Sequence, residues 1–304
     1  MRKLLFIFNP YAGKGKIRNK LLDIIEVFAR NGYEVTVYPT KESGDAVGAA
    51  REKGDGYDLI VCSGGDGTLD EVVTGLMGCE RKVPVGYIPA GSTNDFGVSL
   101  GLPKNMVEAA RIATGGRKFA CDIGEFNRDT FVYIAAFGIF TDVSYETPQS
   151  YKNVLGHMAY ILEGMKRLPS LRTYRIKAVF NGREVEEEFL FGMVTNSSSV
   201  GGFKKITGKY VELNDGLFEV TLIRKPKNPL ELNQIMTSLV TENMETDCII
   251  CDKTDRILFE SEESVAWTLD GEYGGEHLRA EIINRPQAIE LMVPEEESLG
   301  WQMP

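Results

Sequence analysis

The sequence predicts an α/β domain built on a parallel sheet, followed by a mainly antiparallel β-domain. Three observations carry that reading. Strand-like and helix-like hydrophobic periods alternate through the first ~115 residues. Strand signals then follow one another with few helical interruptions, and glycine-rich segments come directly after buried-looking strands.

Lys3–Phe8 is a compact apolar run and reads as the first strand. Positions 17, 21, 22, 24, 25 and 28 form an apolar stripe at helical spacing, so Ile17–Arg30 reads as a helix ended by Asn31-Gly32. Tyr33–Tyr38 alternates like a strand, and Ser43–Lys53 reads as a helix with Ser43 as its cap. Asp58–Cys62 is the third strand. Asp66–Met77 returns to helical spacing through Leu69, Val72, Val73 and Leu76, and Val83–Ile88 is the fourth strand. This rhythm implies a parallel sheet wrapped by helices, assigned to residues 1–118.

From Arg117 the pattern changes. Cys121–Phe126, Thr130–Phe137, Arg172–Phe180, Arg183–Phe191, Leu217–Ile223, Asp247–Ile250, Arg256–Phe259, Val265–Leu269 and Leu278–Ile283 all read as strands. Asn181-Gly182 is the clearest hairpin signal among them. Helices are expected near Pro148–Arg167 and Pro229–Val240. This β-domain is assigned to 119–292, with a cleft expected against the first domain. The acidic tail 293–304 packs back through Leu299 and Trp301 in this reading.

The net charge of −10 over 304 residues argues against a nucleic-acid binder, which needs a basic surface for phosphates. No apolar run reaches the ~20 residues of a membrane span. The start MRKLLFIF has an apolar core too short for a signal peptide, so a cytoplasmic protein is expected. Cys248 and Cys251 form a lone CxxC, and with only two histidines in the chain no second ligand pair is evident for zinc.

The segment SGGDGTLDEV, 63–72, follows the strand YDLIV and opens a helix. AGKGKIRNK lacks the spacing and hydroxyl of Walker A, and Gly65–Asp70 fails the dinucleotide fingerprint at its last glycine. Strand, glycine loop and helix start nevertheless place backbone N–H groups where α/β sheets bind anions. PAGSTNDFG, 89–97, follows the next strand, so Thr93 and Asp95 should lie near Gly64–Thr68; the structural alternative is a short helix capped by Ser92 or Thr93. LDGEYGG, 269–275, has the form of an Asp-Gly hairpin turn. The carboxylates Asp66, Asp95 and Asp270, with no evident partner for His157 or His277, favour phosphoryl transfer assisted by Mg²⁺ over a Ser-His-Asp triad.

NPYAGKG at 9–15, GGDGT at 64–68, GSTNDF at 91–96 and DGE at 270–272 occur in this order. Together they resemble the soluble diacylglycerol kinase family, with sphingosine, ceramide and bacterial phosphatidylglycerol kinases. The resemblance runs from Arg2 to about Val293. GGDGT alone is shared with NAD kinases, and TNDF and the late DGE favour lipid kinases. The resemblance implies a nucleotide-binding α/β domain and a β-sandwich lipid-substrate domain. It assigns ATP phosphates to Gly64, Gly65, Gly67 and Thr68, with Asp66 among them, and the rest of the nucleotide to Asn9, Pro10, Thr40 and Thr93. Asp270 corresponds to the general base and Glu272 to an ATP- or Mg-associated group. Asp66, Asp95 and Asp122 correspond to the acidic residues that hold catalytic Mg²⁺, largely through water.

VELNDGLFEV, 211–220, resembles a second, structural Mg²⁺ loop, with Asp215 ligating by side chain and Glu212 and Leu217 by carbonyl. From the residues alone it is a plain Asn-Asp-Gly turn. Where many members carry a Gly-Gly-Gly run and a Pro, this chain reads VGGFKKITGKY. The reading is thus an ATP- and Mg²⁺-dependent kinase of diacylglycerol or a similar lipid alcohol, met at the membrane surface without a transmembrane segment. An apolar stripe from Val154 to Leu168 is either core packing or membrane contact. A homodimer is a family-level expectation. The alternatives are an NAD kinase-like enzyme and a non-catalytic nucleotide- or lipid-binding protein.

Overall fold

The computed structural model describes residues 1–139, 172–200, 203–204, 211–241, 243–244 and 246–295. The chain divides into Met1–Asp122 with Gln287–Pro304, and Ile123–Pro286. The helix expected at 148–167, its apolar stripe, His157 and most of VGGFKKITGKY lie outside the described residues.

The first unit runs β1 (Arg2–Phe8), a short turn α1 (Ala12–Gly15), α2 (Leu21–Arg30), β2 (Tyr33–Pro39), α3 (Asp45–Lys53), β3 (Leu59–Gly64), α4 (Asp66–Met77), β4 (Val85–Pro89), α5 (Asp95–Ser99), α6 (Met106–Gly115) and the start of β5 (Arg117–Phe126). The strands are parallel in the order β4-β3-β1-β2. Helix α2 packs with α6, and α3 with α4. The strand interiors are apolar because both faces are covered: Leu4, Leu5, Phe6 and Ile7 are fully buried. Phe28 of α2 meets Phe6 edge-on at 5.3 Å.

Two expectations in this unit need correction. The helix expected from Ile17 starts at Leu21, because Gly13, Lys14 and Gly15 are left-handed and Lys16–Asn19 forms a separate 3-10 turn. Ser43 does not cap α3: Gly44 is the cap residue, and the Ser43 hydroxyl donates to Glu71 at 3.4 Å.

The second unit holds β6 (Asp129–Phe131), β7 (Ile134–Gly138), β8 (Tyr174–Phe180), β9 (Arg183–Thr195), β10 (Ser199–Val200), β11 (Phe203–Lys204), β12 (Phe218–Arg224), α7 (Pro229–Thr241), β13 (Ile249–Thr254), β14 (Arg256–Leu269) and most of β15 (Glu272–Val293). The main ladder is antiparallel, in the order β13-β12-β9-β7-β14-β15. Strand β8 pairs with the other halves of β9 and β14. Asn181 and Gly182, both at positive φ, turn β8 into β9 as expected.

The two strands expected at 256–259 and 265–269 are one, β14, whose pairing is interrupted between Glu260 and Val265. Polar residues Ser261, Glu262 and Glu263 in that irregular stretch mimic a loop in sequence. Its core centres on Trp267, with Phe137, Phe126 and Phe259 rings at 4.9, 5.0 and 5.2 Å. The expected boundary near residue 292 falls inside β15, which carries the chain back into the first unit at Gln287 without a break in strand pattern. All five cysteines are free thiols. Among the described residues no helix is long and apolar enough to cross a membrane.

Candidate active site

The register of the parallel sheet brings four chain exits to one edge. Phe8 lies opposite Pro39 and Ser63, and Gly64 opposite Pro89. Just beyond the ladder, Thr40 N–H donates to Phe8 O at 2.9 Å and Asn9 N–H to Ser63 O at 2.9 Å. Ala90 and Gly91 N–H groups donate to Gly64 O at 2.7 and 3.1 Å. Thr40, Asn9 with the following Pro10, and the Gly64 and Ala90 loops therefore share the carboxyl edge. The strand order reverses between β1 and β3, so the loops after Phe8 and after Gly64 flank a topological switch point. Open α/β sheets bind ligands at such crevices.

Close backbone approach explains the glycines. A Cβ at Gly64 would lie 2.2 Å from Thr68 Oγ1, and one at Gly13 would lie 2.0 Å from Ala90 O. Gly13 thus seals the NPYAGKG loop onto the end of β4. Gly65 is the N-cap of α4 without a side-chain bond, and Thr68 N–H turns back to Gly65 O at 3.0 Å. Gly67 lies in that first turn. The start of α4 therefore presents backbone N–H groups and the positive end of its dipole to an anion.

Asp66 also sits in this first turn, and its carboxylate reaches the next loop. Its Oδ2 accepts Asp95 N–H at 3.1 Å and its Oδ1 accepts Phe96 N–H at 3.4 Å. The cap of α5 is therefore supplied by Asp66, and neither Ser92 nor Thr93 serves; Asn94 is the left-handed cap residue. Asn94 Oδ1 accepts Gly91 N–H at 2.8 Å, while its amide donates to Gly91 O at 3.0 Å. Tyr87 donates its hydroxyl toward Gly64 O at 3.3 Å. Burial and then the Asp66 charge push the Tyr87 phenol well above its ordinary range, which keeps it a donor. Thr93 is half-buried beside this cluster. Asp95 is buried, and so is Asp122 on β5, whose Oδ1 accepts Gln287 N–H at 2.7 Å.

One residue missed in sequence is Glu71. From α4 it accepts Gly44 N–H at 2.9 Å and Ala46 N–H at 3.1 Å, closing the start of α3 just after Thr40. Two of the carboxylates on helix α4, Asp66 and Glu71, thus each hold the N-terminus of a different neighbour.

In the second unit, Asp270 and Gly271 form the turn between β14 and β15, both at positive φ. The hairpin reading of this Asp-Gly pair is therefore correct as structure. The side chain does more than turn the chain: Oδ2 accepts Val132 N–H at 2.5 Å, and Oδ1 accepts Tyr133 and Ile134 N–H at 3.0 and 2.9 Å. Asp270 is 5% exposed, so these donors fix its orientation and favour its negative charge. Glu272 opens β15 and is exposed. His277 is engaged by Gly274 O at 2.9 Å and by the edge of Phe126.

The 211–217 turn leads into β12. Asp215 Oδ1 accepts Leu217 N–H at 3.0 Å, and Glu212 is exposed. Asp215 Oδ2 receives Lys253 Nζ at 3.0 Å. Lys253 Nζ also lies 3.3 Å from Oε1 of Glu219. Burial pushes the Glu219 carboxyl up to about 7, against the pull of Lys253. Burial disfavours the Lys253 ammonium, yet the bond to Asp215 and the Glu219 charge hold it above its ordinary value. Among the described residues no three His, Cys, Asp or Glu side chains converge as a ready-made metal cage.

Comparison with known proteins covers nearly the whole chain. Residues 3–126 match the Diacylglycerol kinase catalytic domain, and residues 136–293 the YegS C-terminal NAD kinase beta sandwich-like domain. A diacylglycerol kinase of Bacillus subtilis (strain 168) is 36% identical over 301 residues, covering 98% of each chain. One from Staphylococcus carnosus (strain TM300) is 32% identical, covering 97% of this chain and 96% of its own. A crystal structure from Bacillus anthracis str. Sterne superposes with a TM-score of 0.84 at 27% identity, covering 96% of this chain and 95% of the other. On this full-length similarity in sequence and fold, the chain belongs to the diacylglycerol kinase family, lipid kinases that transfer phosphate to a lipid hydroxyl.

Proposed function

We propose that this protein transfers the γ-phosphate of ATP to the hydroxyl of diacylglycerol or a similar lipid alcohol. The observation that carries the nucleotide part is the switch point between β1 and β3, where the Asn9 and Gly64 loops meet. In this reading Gly64, Gly65, Gly67 and Thr68 cradle the phosphates at the start of α4. Asn9, Pro10, Thr40 and Thr93 line the remainder of the nucleotide, and Glu272 assists at the ATP–metal side.

The carboxylates of Asp66, Asp95 and Asp122 are hard oxygen donors suited to Mg²⁺. Mg²⁺ keeps several waters and takes substrate phosphates as ligands, so it needs only one or two protein carboxylates. Bound there, Mg²⁺ would neutralise charge on the transferring phosphoryl group. Asp66 does two jobs in this account, ordering the Asp95 loop and offering oxygen to the metal side. Asp270 is the general base: its carboxylate, held by the Val132–Ile134 N–H groups, orients the acceptor hydroxyl and takes its proton. Work at the cytoplasmic membrane surface, as a peripheral protein and homodimer, completes the reading.

The test offers purified protein Mg-ATP with mixed micelles of diacylglycerol, ceramide, sphingosine and phosphatidylglycerol, and separately with NAD. Phosphorylated lipid is expected. Phosphorylated NAD without lipid product would instead select the NAD kinase reaction, and ATP binding without any product a non-catalytic role.

A further inference from the structure

The resemblance of VELNDGLFEV to a structural Mg²⁺ loop implies a divalent ion at Asp215, held also by the carbonyls of Glu212 and Leu217. The structure has a protein cation at that carboxylate. Lys253 on β13 stands directly opposite Glu219 on β12 in the antiparallel register. From there its Nζ reaches Asp215 Oδ2 at 3.0 Å and Glu219 Oε1 at 3.3 Å. Glu219 is 3% exposed, and neither of its carboxylate oxygens has an aligned hydrogen bond. A buried carboxylate so placed needs a nearby positive charge, and Lys253 supplies it. A divalent ion on Asp215 would have to share that carboxylate with the ammonium, and the two cations would repel. The residues therefore do not fit a bound Mg²⁺ as they stand.

We propose that Lys253 is the resident cation of the 211–219 segment, tying the Asp215 turn to the β12–β13 ladder without a divalent ion. The turn has its own local order, since Asp215 bonds Leu217 N–H and Gly216 takes positive φ. What the ammonium adds is the link from this turn to the neighbouring strand. The loop is then independent of metal supply, while the catalytic chemistry of the first unit is not.

Thermal unfolding of nucleotide-free protein, in EDTA and in millimolar MgCl₂, tests this for the wild type, Asp215→Asn, Lys253→Met and the double variant. The wild type and Asp215→Asn are expected to show the same Mg²⁺-induced shift in Tm. Lys253→Met is expected to lose roughly 5 °C or more in EDTA. Mg²⁺ should restore part of that loss by entering beside Asp215 and Glu219, and Asp215→Asn in the Lys253→Met background should abolish the restoration. A wild-type Mg²⁺ stabilisation that Asp215→Asn removes would overturn the proposal, showing a resident metal. So would a Lys253→Met protein as stable as the wild type. Should Lys253→Met fail to fold, the wild type and Asp215→Asn comparison decides alone. No lipid or ATP enters the assay, so its outcome is separate from that of the kinase reading.

Discussion

The Asp66 carboxylate accepts the backbone N–H of Asp95 at 3.1 Å, which joins the glycine-rich loop after β3 to the TNDF loop after β4. That bond accounts for an acidic residue among glycines suited to phosphate. Its charge is directed at a helix start, whose N–H groups and dipole stabilise it. Asp66→Ala should cost ~1 kcal/mol through the lost cap, seen as a lowered urea midpoint. Asp66→Asn should keep most of that stability, since its amide oxygen still accepts, yet lose lipid phosphorylation. Asparagine retaining activity would reduce Asp66 to a cap.

Glu71 makes the matching contact on the other side of α4. Glu71→Ala removes the acceptor of Gly44 and Ala46 N–H, with an expected loss of ~1 kcal/mol. The loosened segment follows Thr40, so KM for ATP should rise several-fold while kcat stays near the wild-type value. Steady-state kinetics across ATP concentrations separates the two parameters.

Gly64→Ala tests the close approach at the loop. Its methyl group would fall 2.2 Å from Thr68 Oγ1, with Thr68 Cβ only 2.4 Å away, so a rotation of Thr68 cannot relieve the clash. The expected cost is ~1–3 kcal/mol, together with a lost or strongly weakened ATP affinity by calorimetry.

Much of this architecture is legible in the sequence. Period and turn chemistry locate α4, β1 to β4 and the Asn181-Gly182 hairpin, because those signals are local. What escapes is non-local. Glu71 reads as one more polar residue on α4, yet its partners lie about 25 positions upstream. Ser43, Ser92 and Thr93 all have cap chemistry, but carboxylates from α4 take both capping roles. The Glu260–Val265 irregularity splits β14 in sequence although the strand is continuous. Asp270 illustrates both sides: its turn is written in the Asp-Gly pair, whereas its bonds to Val132–Ile134 cross more than 130 positions.

Asp270→Asn and Asp270→Ala separate turn, hydrogen bonding and catalysis. Asparagine tolerates the left-handed backbone and keeps one acceptor oxygen, but its NH₂ replaces the other and faces a buried N–H, so a loss of ~1–3 kcal/mol is expected. Alanine leaves buried N–H groups without their acceptor, at ~1–3 kcal/mol for each such group. Both should bind ATP, and both should lower lipid phosphorylation by ~10²–10⁴-fold if Asp270 is the base.

The most direct measurement is transfer of γ-³²P from ATP into lipid by the wild-type protein, with and without Mg²⁺, over mixed micelles containing diacylglycerol. Labelled phosphatidic acid that requires both Mg²⁺ and the lipid is the predicted result. A folded protein that binds ATP but labels neither diacylglycerol nor another lipid alcohol would contradict it.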